Sequence, residues 1–200
     1  MKWMGSLEEI KEDIWRNLLA AVDKKNTAFR HPVVATISDG IPVQRTVVLR
    51  NIFISNRTLL FHTDRRSLKV RDLEANPHLS WLFYDDRSRV QLHIRSVAQI
   101  HDAGSELHEN EWNSTEAAEQ RMYCVTEPPG TPVEDPMEVW PEKFRKPSLT
   151  LDDTSMGKAN FRVVSAEVDH MDWLQLHPEG EYRAIFEWKD DRWQGNWVCP

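Results

Sequence analysis

Cysteine is scarce in this chain, and long apolar runs are missing from it. The 200 residues contain two cysteines, Cys124 and Cys199, far apart and without a His or Cys at metal-ligand spacing. This pattern excludes a disulfide framework and a zinc motif, so we expect ordinary thiols and no metal site. No apolar run approaches the roughly 20 residues that cross a bilayer, and residues 1–5 lack the features of a signal peptide. We therefore expect a cytoplasmic protein without a membrane partner.

Positive charge is also in short supply, except in one stretch. The chain has 25 Lys and Arg against 32 Asp and Glu, a net charge of -7. Nonspecific nucleic-acid binding needs broad positive surface, so no nucleic-acid partner is expected. Between Arg45 and Pro77, however, seven Lys and Arg stand against three Asp and Glu. This local excess predicts a site for an anion, above all a phosphate.

The length and the periodicity predict one domain over 1–200, although length alone does not exclude two compact lobes. Ser6 and Glu9 fit a capping box, and apolar residues at helical spacing extend an amphipathic helix over 6–25. Strand patterns follow at 32–38, 43–50, 52–54, 58–63, 79–84, 90–95, 161–176, 182–188 and from 193 onward. Helices are predicted at 67–75 and within 106–123. The expected fold class is mainly β with peripheral helices (α+β), an antiparallel β-barrel decorated by helices.

A proline-rich excursion interrupts this pattern at 127–147. Six prolines with few apolar anchors predict a long loop. A domain linker is one interpretation. Because the later strands can return to the same sheet, we favour an excursion or lid.

Two histidines and a glutamine lie near the basic stretch. Strict alternation over 90–95 places Gln91, His93 and Arg95 on one polar face of a strand. Such residues more often face solvent than bind a ligand, and for His93 we favour a solvent-facing position. For His62 the two interpretations are balanced, since a single histidine without a partner in motif spacing is weak evidence for a base.

An ordered set of motifs resembles one known family. The set comprises Arg45-Thr-Val-Val-Leu-Arg50, Phe61-His-Thr63, Ser67-Leu-Lys69, Asn76-Pro77, Gln91, Arg183 and the segment from Trp193 to Pro200. In this order the residues resemble the pyridoxamine 5'-phosphate oxidase family. The resemblance implies an antiparallel FMN-binding split barrel that works as a homodimer, with FMN at the subunit interface.

The resemblance also implies which residues bind the cofactor. Arg45 and Lys69 are expected to bind the FMN phosphate, with Thr63 and Ser67 nearby. Gln91 is expected to hydrogen-bond the flavin ring, and Arg183 to lie near the isoalloxazine, from the same subunit or from the partner. The full predicted set is Arg45, Thr46, Val47, Val48, Leu49, Arg50, His62, Thr63, Ser67, Leu68, Lys69, Gln91 and Arg183. A guanidinium, an ammonium and hydroxyl donors suit a phosphate dianion.

The chain departs from the family pattern at several positions. Arg50 stands where the family usually has Lys, and Leu68 replaces an expected Arg donor, for which Arg65 or Arg66 can compensate. Glu179 and Glu181 occupy the positions of an Arg and a His that contact the substrate in the oxidase. Since carboxylates repel a substrate phosphate, oxidation of vitamin B6 phosphates is not expected to follow from the resemblance.

The family's phosphate-binding Tyr and Arg also lack a clear match around Trp112 and Glu116. Arg121 is the alternative cation in that region. The substrate is therefore left open by the sequence.

Two function classes stay open from the sequence. The leading one is an FMN-dependent oxidoreductase, in which a substrate stacks on the flavin and passes a hydride to it. The protein orients the substrate and the flavin and tunes the reactivity of the flavin. No side chain is assigned a catalytic role in this class. The alternative is a non-catalytic protein that binds or senses flavin, haem or a deazaflavin. A plain interaction domain is disfavoured by the basic cluster.

Overall fold

An antiparallel sheet forms the centre of the fold in the computed structural model, which describes residues 5–145, 149–176, 178 and 180–200. Its strands in these ranges are β1 Val33–Ser38, β2 Ile41–Thr46, β3 Asn51–Phe53, β4 Thr58–Asp64, β5 His78–Asp85, β6 Val90–His101, β7 Phe161–Gln175, β8 Tyr182–Lys189 and β9 Arg192–Val198. The order across the sheet is β2, β1, β5, β6, β7, β4, β3, and β8 with β9 continues from β7. The predicted sheet-dominated α+β class is confirmed.

Strand β7 holds the sheet together because it pairs with three other strands. Its residues 161–167 pair with β4 and its residues 170–175 pair with β8, while β6 runs along its other side. The register of β6 against β7 shifts between Arg95 and Ser96. A bulge of this kind increases the local twist and bends the sheet.

Five α-helices surround the sheet in the described ranges: α1 Leu7–Asp23, α2 Leu68–Ala75, α3 Glu106–Ser114, α4 Ala117–Gln120 and α5 Leu151–Thr154. Helix α1 lies within the predicted 6–25, and its capping box is present: the Ser6 hydroxyl accepts from Glu9 N, and the Glu9 carboxylate accepts from Ser6 N. Short 3-10 helices lie at Ala28–Arg30, Ile54–Asn56, Arg121–Tyr123, Glu142–Arg145 and Ser155–Ala159. No helix within these ranges is long and apolar enough to cross a bilayer.

The main core lies between α1 and one face of the sheet. Ile10, Ile14 and Leu18 of α1 are buried together with strand residues such as Trp81 and Phe83, whose rings stack with centroids 6.0 Å apart. This face is called the inner face below. It is apolar because alternate residues of each strand point towards α1.

A second, smaller core covers one end of the opposite, outer face. Leu60, Trp112, Tyr123, Phe161 and Val163 form this cluster, in which α3 packs on β4 and β7. The Phe161 ring meets Trp112 and Tyr123 edge to face, at centroid distances of 5.1 and 5.0 Å. Helix α3 therefore shields only part of the outer face.

The proline-rich excursion contains no strand over its described residues. Thr126 N donates to Val139 O at 2.9 Å, which closes the base of a loop that carries the first prolines. Further on, the Arg121 guanidinium lies 4.5 Å from the centroid of the Trp140 ring, and Phe144 is fully buried. Its residues 146 and 147 lie outside the described residues. The loop is thus anchored at both the base and the far side.

Candidate functional site

Two cations and two hydroxyls converge where β2 and β4 approach the start of α2. Lys69 Nζ donates to Thr63 Oγ1 at 3.1 Å, and Thr63 Oγ1 lies 3.1 Å from Ser67 Oγ. Arg45 is close enough to Lys69 for the two charges to interact. Of the thirteen predicted site residues, these four form one cluster, which is called the anion cluster below.

Arg45 is held in place by partners on the inner face. Its Nη1 donates to Thr36 Oγ1 at 2.6 Å, and its Nη2 lies 3.6 Å from Asp72 Oδ2. Thr36 Oγ1 in turn donates to Asp72 Oδ2 at 2.8 Å. A buried carboxylate and a hydroxyl thus orient the guanidinium, and the register of β2 on β1 places it there by pairing Arg45 with Val34.

The electrostatics of the anion cluster favour an incoming negative charge. Burial lowers the pKa of Lys69, and the neighbouring Arg45 lowers it further. Burial also lowers the pKa of Arg45, which Asp72 partly offsets. Because both cations lose solvation and repel each other, an anion between them stabilises both charged forms. The donor set of guanidinium, ammonium and two hydroxyls fits a phosphate.

Helix α2 begins at this cluster. Ser67 is its N-cap residue, yet the Ser67 side chain does not cap the helix and faces Thr63 instead. Backbone N–H groups at a helix start favour an anion. Leu68, where the family pattern has Arg, is 60% exposed and contributes no donor.

Residues 47–50 run from β2 to β3 without belonging to a strand. Val47 N donates to Pro32 O, Leu49 N to Arg30 O, and Arg50 N to Leu60 O. Val47 and Leu49 are buried in the main core, while Thr46 is exposed and Val48 is half-buried. The side chains of Val47 and Leu49 therefore pack in the main core.

Arg50 lies in a different network from Arg45. Its Nη1 donates to Glu119 Oε1 of α4 at 2.6 Å. The structure does not bring Arg50 into the anion cluster, and its role towards a cofactor remains a prediction.

His62 lies near Arg50 and Glu119, whose charges act on its imidazole. Its Nε2 lies 2.9 Å from Glu111 Oε2, and Glu111 Oε1 accepts from Asn51 Nδ2 at 3.1 Å. Burial lowers the pKa of His62 despite the carboxylate. The pKa of Glu111 is also lowered, because its hydrogen bonds to His62 and Asn51 and the charge of Arg50 outweigh its burial. No local pattern identifies Glu111 as the partner of His62, since the two residues are 49 positions apart.

Gln91 and Arg183 share one row on the outer face. Gln91 pairs with Leu174 of β7, which pairs with Arg183 of β8. Arg183 donates to Asp172 through Nε at 2.9 Å and Nη2 at 2.7 Å, a bidentate ion pair that lowers the pKa of the carboxyl. Within one chain, these two residues therefore lie on the face opposite to the anion cluster.

Other residues named in the sequence analysis lie outside the anion cluster. His93 Nε2 lies 2.8 Å from Ser80 Oγ on the outer face. Trp112 is buried in the second cluster, and Glu116 is the N-cap residue of α4. Glu181 is exposed, and Glu179 lies outside the described residues. No group of three or more His, Cys, Asp or Glu suited to a metal occurs in the described part of the chain.

Sequence reasoning missed the residues that support the anion cluster. Asp72 and Thr36 are buried and orient Arg45. Arg66, considered as a replacement donor for the missing family Arg, instead binds Asp64 and the carbonyls of Val125 and Thr126. The contacts of Arg45 with Asp72 and of Arg66 with the carbonyls of Val125 and Thr126 leave no signature in the local sequence, because the fold brings these partners together from distant segments.

Comparisons with known proteins bear on both the fold and the anion cluster. Residues 12–102 match the family model described as Pyridoxamine 5'-phosphate oxidase, FMN-binding domain. This range contains Arg45, Thr63, Ser67 and Lys69. A relative from Arabidopsis thaliana, pyridoxine/pyridoxamine 5'-phosphate oxidase 2, is 24% identical in an alignment of 173 residues that covers 81% of this chain and 83% of that protein.

Two solved structures share the fold. A pyridoxamine 5'-phosphate oxidase-related, FMN binding protein from Nostoc punctiforme has a TM-score of 0.72 and 19% identity, covering 95% of this chain and 96% of the other. PhzG from Burkholderia lata, in complex with tetrahydrophenazine-1-carboxylic acid, has a TM-score of 0.73 and 16% identity, covering 100% and 98%. At these identities the likeness concerns the fold.

Proposed function

We propose that this chain belongs to the pyridoxamine 5'-phosphate oxidase-related FMN-binding family, binds FMN and works as a flavin-dependent oxidoreductase; the family model matched by residues 12–102 supports this. The observation that carries the proposal is the anion cluster, in which two half-buried cations and two hydroxyls meet at the start of α2. A cofactor with a terminal phosphate satisfies both cations at once.

The residues of the anion cluster would hold the phosphate of FMN. Arg45, kept in orientation by Asp72 and Thr36, offers a fixed guanidinium, while Lys69 offers a point charge. Thr63 and Ser67 offer hydroxyls that can donate to phosphate oxygens. Bound FMN supplies the two-electron chemistry, and the protein contributes binding, orientation and exclusion of water.

A homodimer is part of the proposal, because the predicted ring contacts lie on the outer face. Gln91 and Arg183 are separated by the sheet from the anion cluster of their own chain. A groove of about 540 Å³ on the outer face is lined by Ile37, Ser80 and Arg95, among others. The exposed apolar side chains Ile37, Leu82 and Val97 on this face favour burial against a second copy. In such a dimer, one copy supplies the phosphate contacts and its partner supplies the contacts to the ring.

The substrate is proposed only as a class, a small molecule that gives electrons to the flavin. Phosphorylated vitamin B6 compounds are disfavoured, because Glu181 is a carboxylate where the oxidase has a His, and a carboxylate repels a substrate phosphate. A cytoplasmic location is kept as part of this proposal.

The visible absorption spectrum of the purified protein tests the proposal. Bound flavin bands, present as purified or after addition of FMN, are expected. Anaerobic addition of pyridoxamine 5'-phosphate, pyridoxine 5'-phosphate or NADPH then shows whether a donor bleaches these bands. Bleaching supports an oxidoreductase, whereas stable bands support the alternative of a non-catalytic flavin-binding or sensing protein. Absence of any flavin binding contradicts both.

A further inference from the structure

Arg66 lies in the loop that joins β4 to α2, between the two hydroxyl residues of the anion cluster. Its Nε donates to Asp64 Oδ1 at 3.0 Å and its Nη2 to Asp64 Oδ2 at 2.7 Å. The backbone N of Arg66 also donates to Asp64 Oδ1, at 2.8 Å. The side chain thus folds back on the end of β4 as a bidentate pair.

The same guanidinium reaches the base of the proline-rich loop. Nη1 donates to Thr126 O at 3.0 Å and Nη2 to Val125 O at 3.1 Å. Thr126 is itself tied to Val139, through N at 2.9 Å and Oγ1 at 3.2 Å. One side chain therefore joins the loop of the anion cluster to the start of the excursion.

These contacts leave Arg66 little capacity to bind a phosphate directly. They use four of the five N–H donors of a guanidinium. The side chain of Arg66 is 16% exposed and that of Asp64 is 8% exposed. Arg65, its neighbour, is exposed and bonds through its backbone N to Asn160 O at 2.7 Å.

The position of Ser67 follows from this arrangement. Ser67 N donates to Asp64 O at 3.0 Å, and Ser67 Oγ lies 3.1 Å from Thr63 Oγ1, which accepts from Lys69. The loop that Arg66 holds between Asp64 and residues 125–126 is therefore the same loop that sets the spacing of three members of the anion cluster.

We propose that Arg66 is a positioning residue for the phosphate of the cofactor: its fork fixes the loop 64–67 against the carbonyls of Val125 and Thr126, and thereby sets the spacing of Thr63, Ser67 and Lys69. This inference rests on the proposed FMN site. A positioning role requires the planar fork of arginine, because a lysine ammonium cannot bind the two Asp64 oxygens and two carbonyls together.

The test compares the affinity for FMN with the affinity for riboflavin, which lacks the phosphate, by titration of flavin fluorescence. Arg66→Ala and Arg66→Lys are both expected to lower the ratio of the two affinities by about tenfold, the scale of a lost charge-assisted contact. Arg71→Ala, which removes an exposed basic side chain of α2 that faces Asp39, is the matched control and is expected to keep the wild-type ratio. A general loss of stability lowers both affinities and leaves the ratio unchanged.

The outcomes separate this inference from the proposed function. If the wild type binds FMN and riboflavin equally, the phosphate site itself is wrong and the role of Arg66 falls with it. If the wild type discriminates and Arg66→Lys keeps the full ratio, Arg66 is a point charge and its positioning role is overturned while the phosphate site stands. If Arg66→Ala does not fold, the Lys variant alone decides between these results.

Discussion

Lys69 and Arg45 approach the same point from a helix and a strand, and each opposes the charge of the other. Since burial and Arg45 both lower the pKa of Lys69, the ammonium gains most when an anion arrives. We expect Lys69→Ala to weaken FMN binding by about 1.5 to 3 kcal/mol, as for a lost hydrogen bond to a charged group. Fluorescence titration measures the change.

Arg71→Ala is the control for Lys69→Ala. Arg71 is also basic and lies on α2, but its side chain is 65% exposed and faces Asp39 at 3.6 Å. Arg71→Ala is expected to leave the affinity for FMN unchanged. Equal affinities of wild type and Lys69→Ala would remove Lys69 from the phosphate site.

The sequence located the four members of the anion cluster but not their support. The resemblance implies Arg45, Thr63, Ser67 and Lys69 as phosphate-site residues, and the structure brings these four side chains together. Asp72 was not predicted, because its partners Thr36 and Arg45 come from other elements. A supporting residue of this kind is defined by tertiary contacts and has no local pattern.

At the level of elements, the His62–Glu111 pair ties α3 to β4. Burial lowers the pKa of His62 below its ordinary value of 6.5, so the unfolded chain binds the proton at a higher pH than the folded chain. Below about pH 6.5 the free energy of unfolding therefore falls as the pH falls. His62→Gln, which keeps a donor for Glu111, is expected to reduce this slope by up to about 1.4 kcal/mol per pH unit.

Denaturant unfolding at pH 7.5, 6.5 and 5.5 measures the slope. His31→Gln is the control, because His31 is exposed, and it is expected to retain the wild-type slope. The other histidines with lowered pKa values, His93, His101 and His170, contribute the slope that remains in His62→Gln. An unchanged slope for His62→Gln would show that this pair does not link folding to pH.

The β8–β9 hairpin depends on a close approach at Gly195. A Cβ there would lie 2.8 Å from Cε1 of Phe186, a buried ring of the main core. We expect Gly195→Val to destabilise the fold by about 1 to 3 kcal/mol through overpacking. Denaturant unfolding checks this, with Asn196→Val, at an exposed position of the same strand, as the control that should change little.

Element bounds were partly predictable from pattern. The segment 43–50 was predicted as one strand, but β2 ends at Thr46. Residues 47–50 instead bond to Pro32, Arg30 and Leu60, which are contacts between segments. The pattern at 90–95 was correct in its alternation yet too short, since β6 continues to His101, where the polar and apolar residues no longer alternate strictly.

For the whole molecule, the prediction concerns the open outer face. Leu82 is 39% exposed on β5, and Leu19 is exposed to the same extent on α1. We expect Leu82→Arg to convert a dimer to monomers and to lower FMN affinity, since a buried unpaired charge at an interface costs several kcal/mol. Leu19→Arg is expected to stay dimeric. Light scattering measures the mass, and a monomeric wild type would contradict the dimer.

At this scale the resemblance predicted from the ordered motifs is confirmed by the matching family model and by the shared fold. The order of motifs along the chain is kept when individual residues change, so this order was sufficient to predict the fold. The substrate did not follow from the resemblance, because Glu179 and Glu181 stand where the oxidase has an Arg and a His that contact its substrate.

The central place of β7 has a consequence for how fast the chain folds. Its partners β4 and β6 are complete by residue 101, whereas β7 begins at Phe161, so the middle of the sheet closes only by contacts between distant parts of the chain. Loop-closure entropy must be overcome before these contacts form, and a high contact order makes folding slow. Until β7 arrives, the facing edges of β4 and β6 are unpaired and open to aggregation.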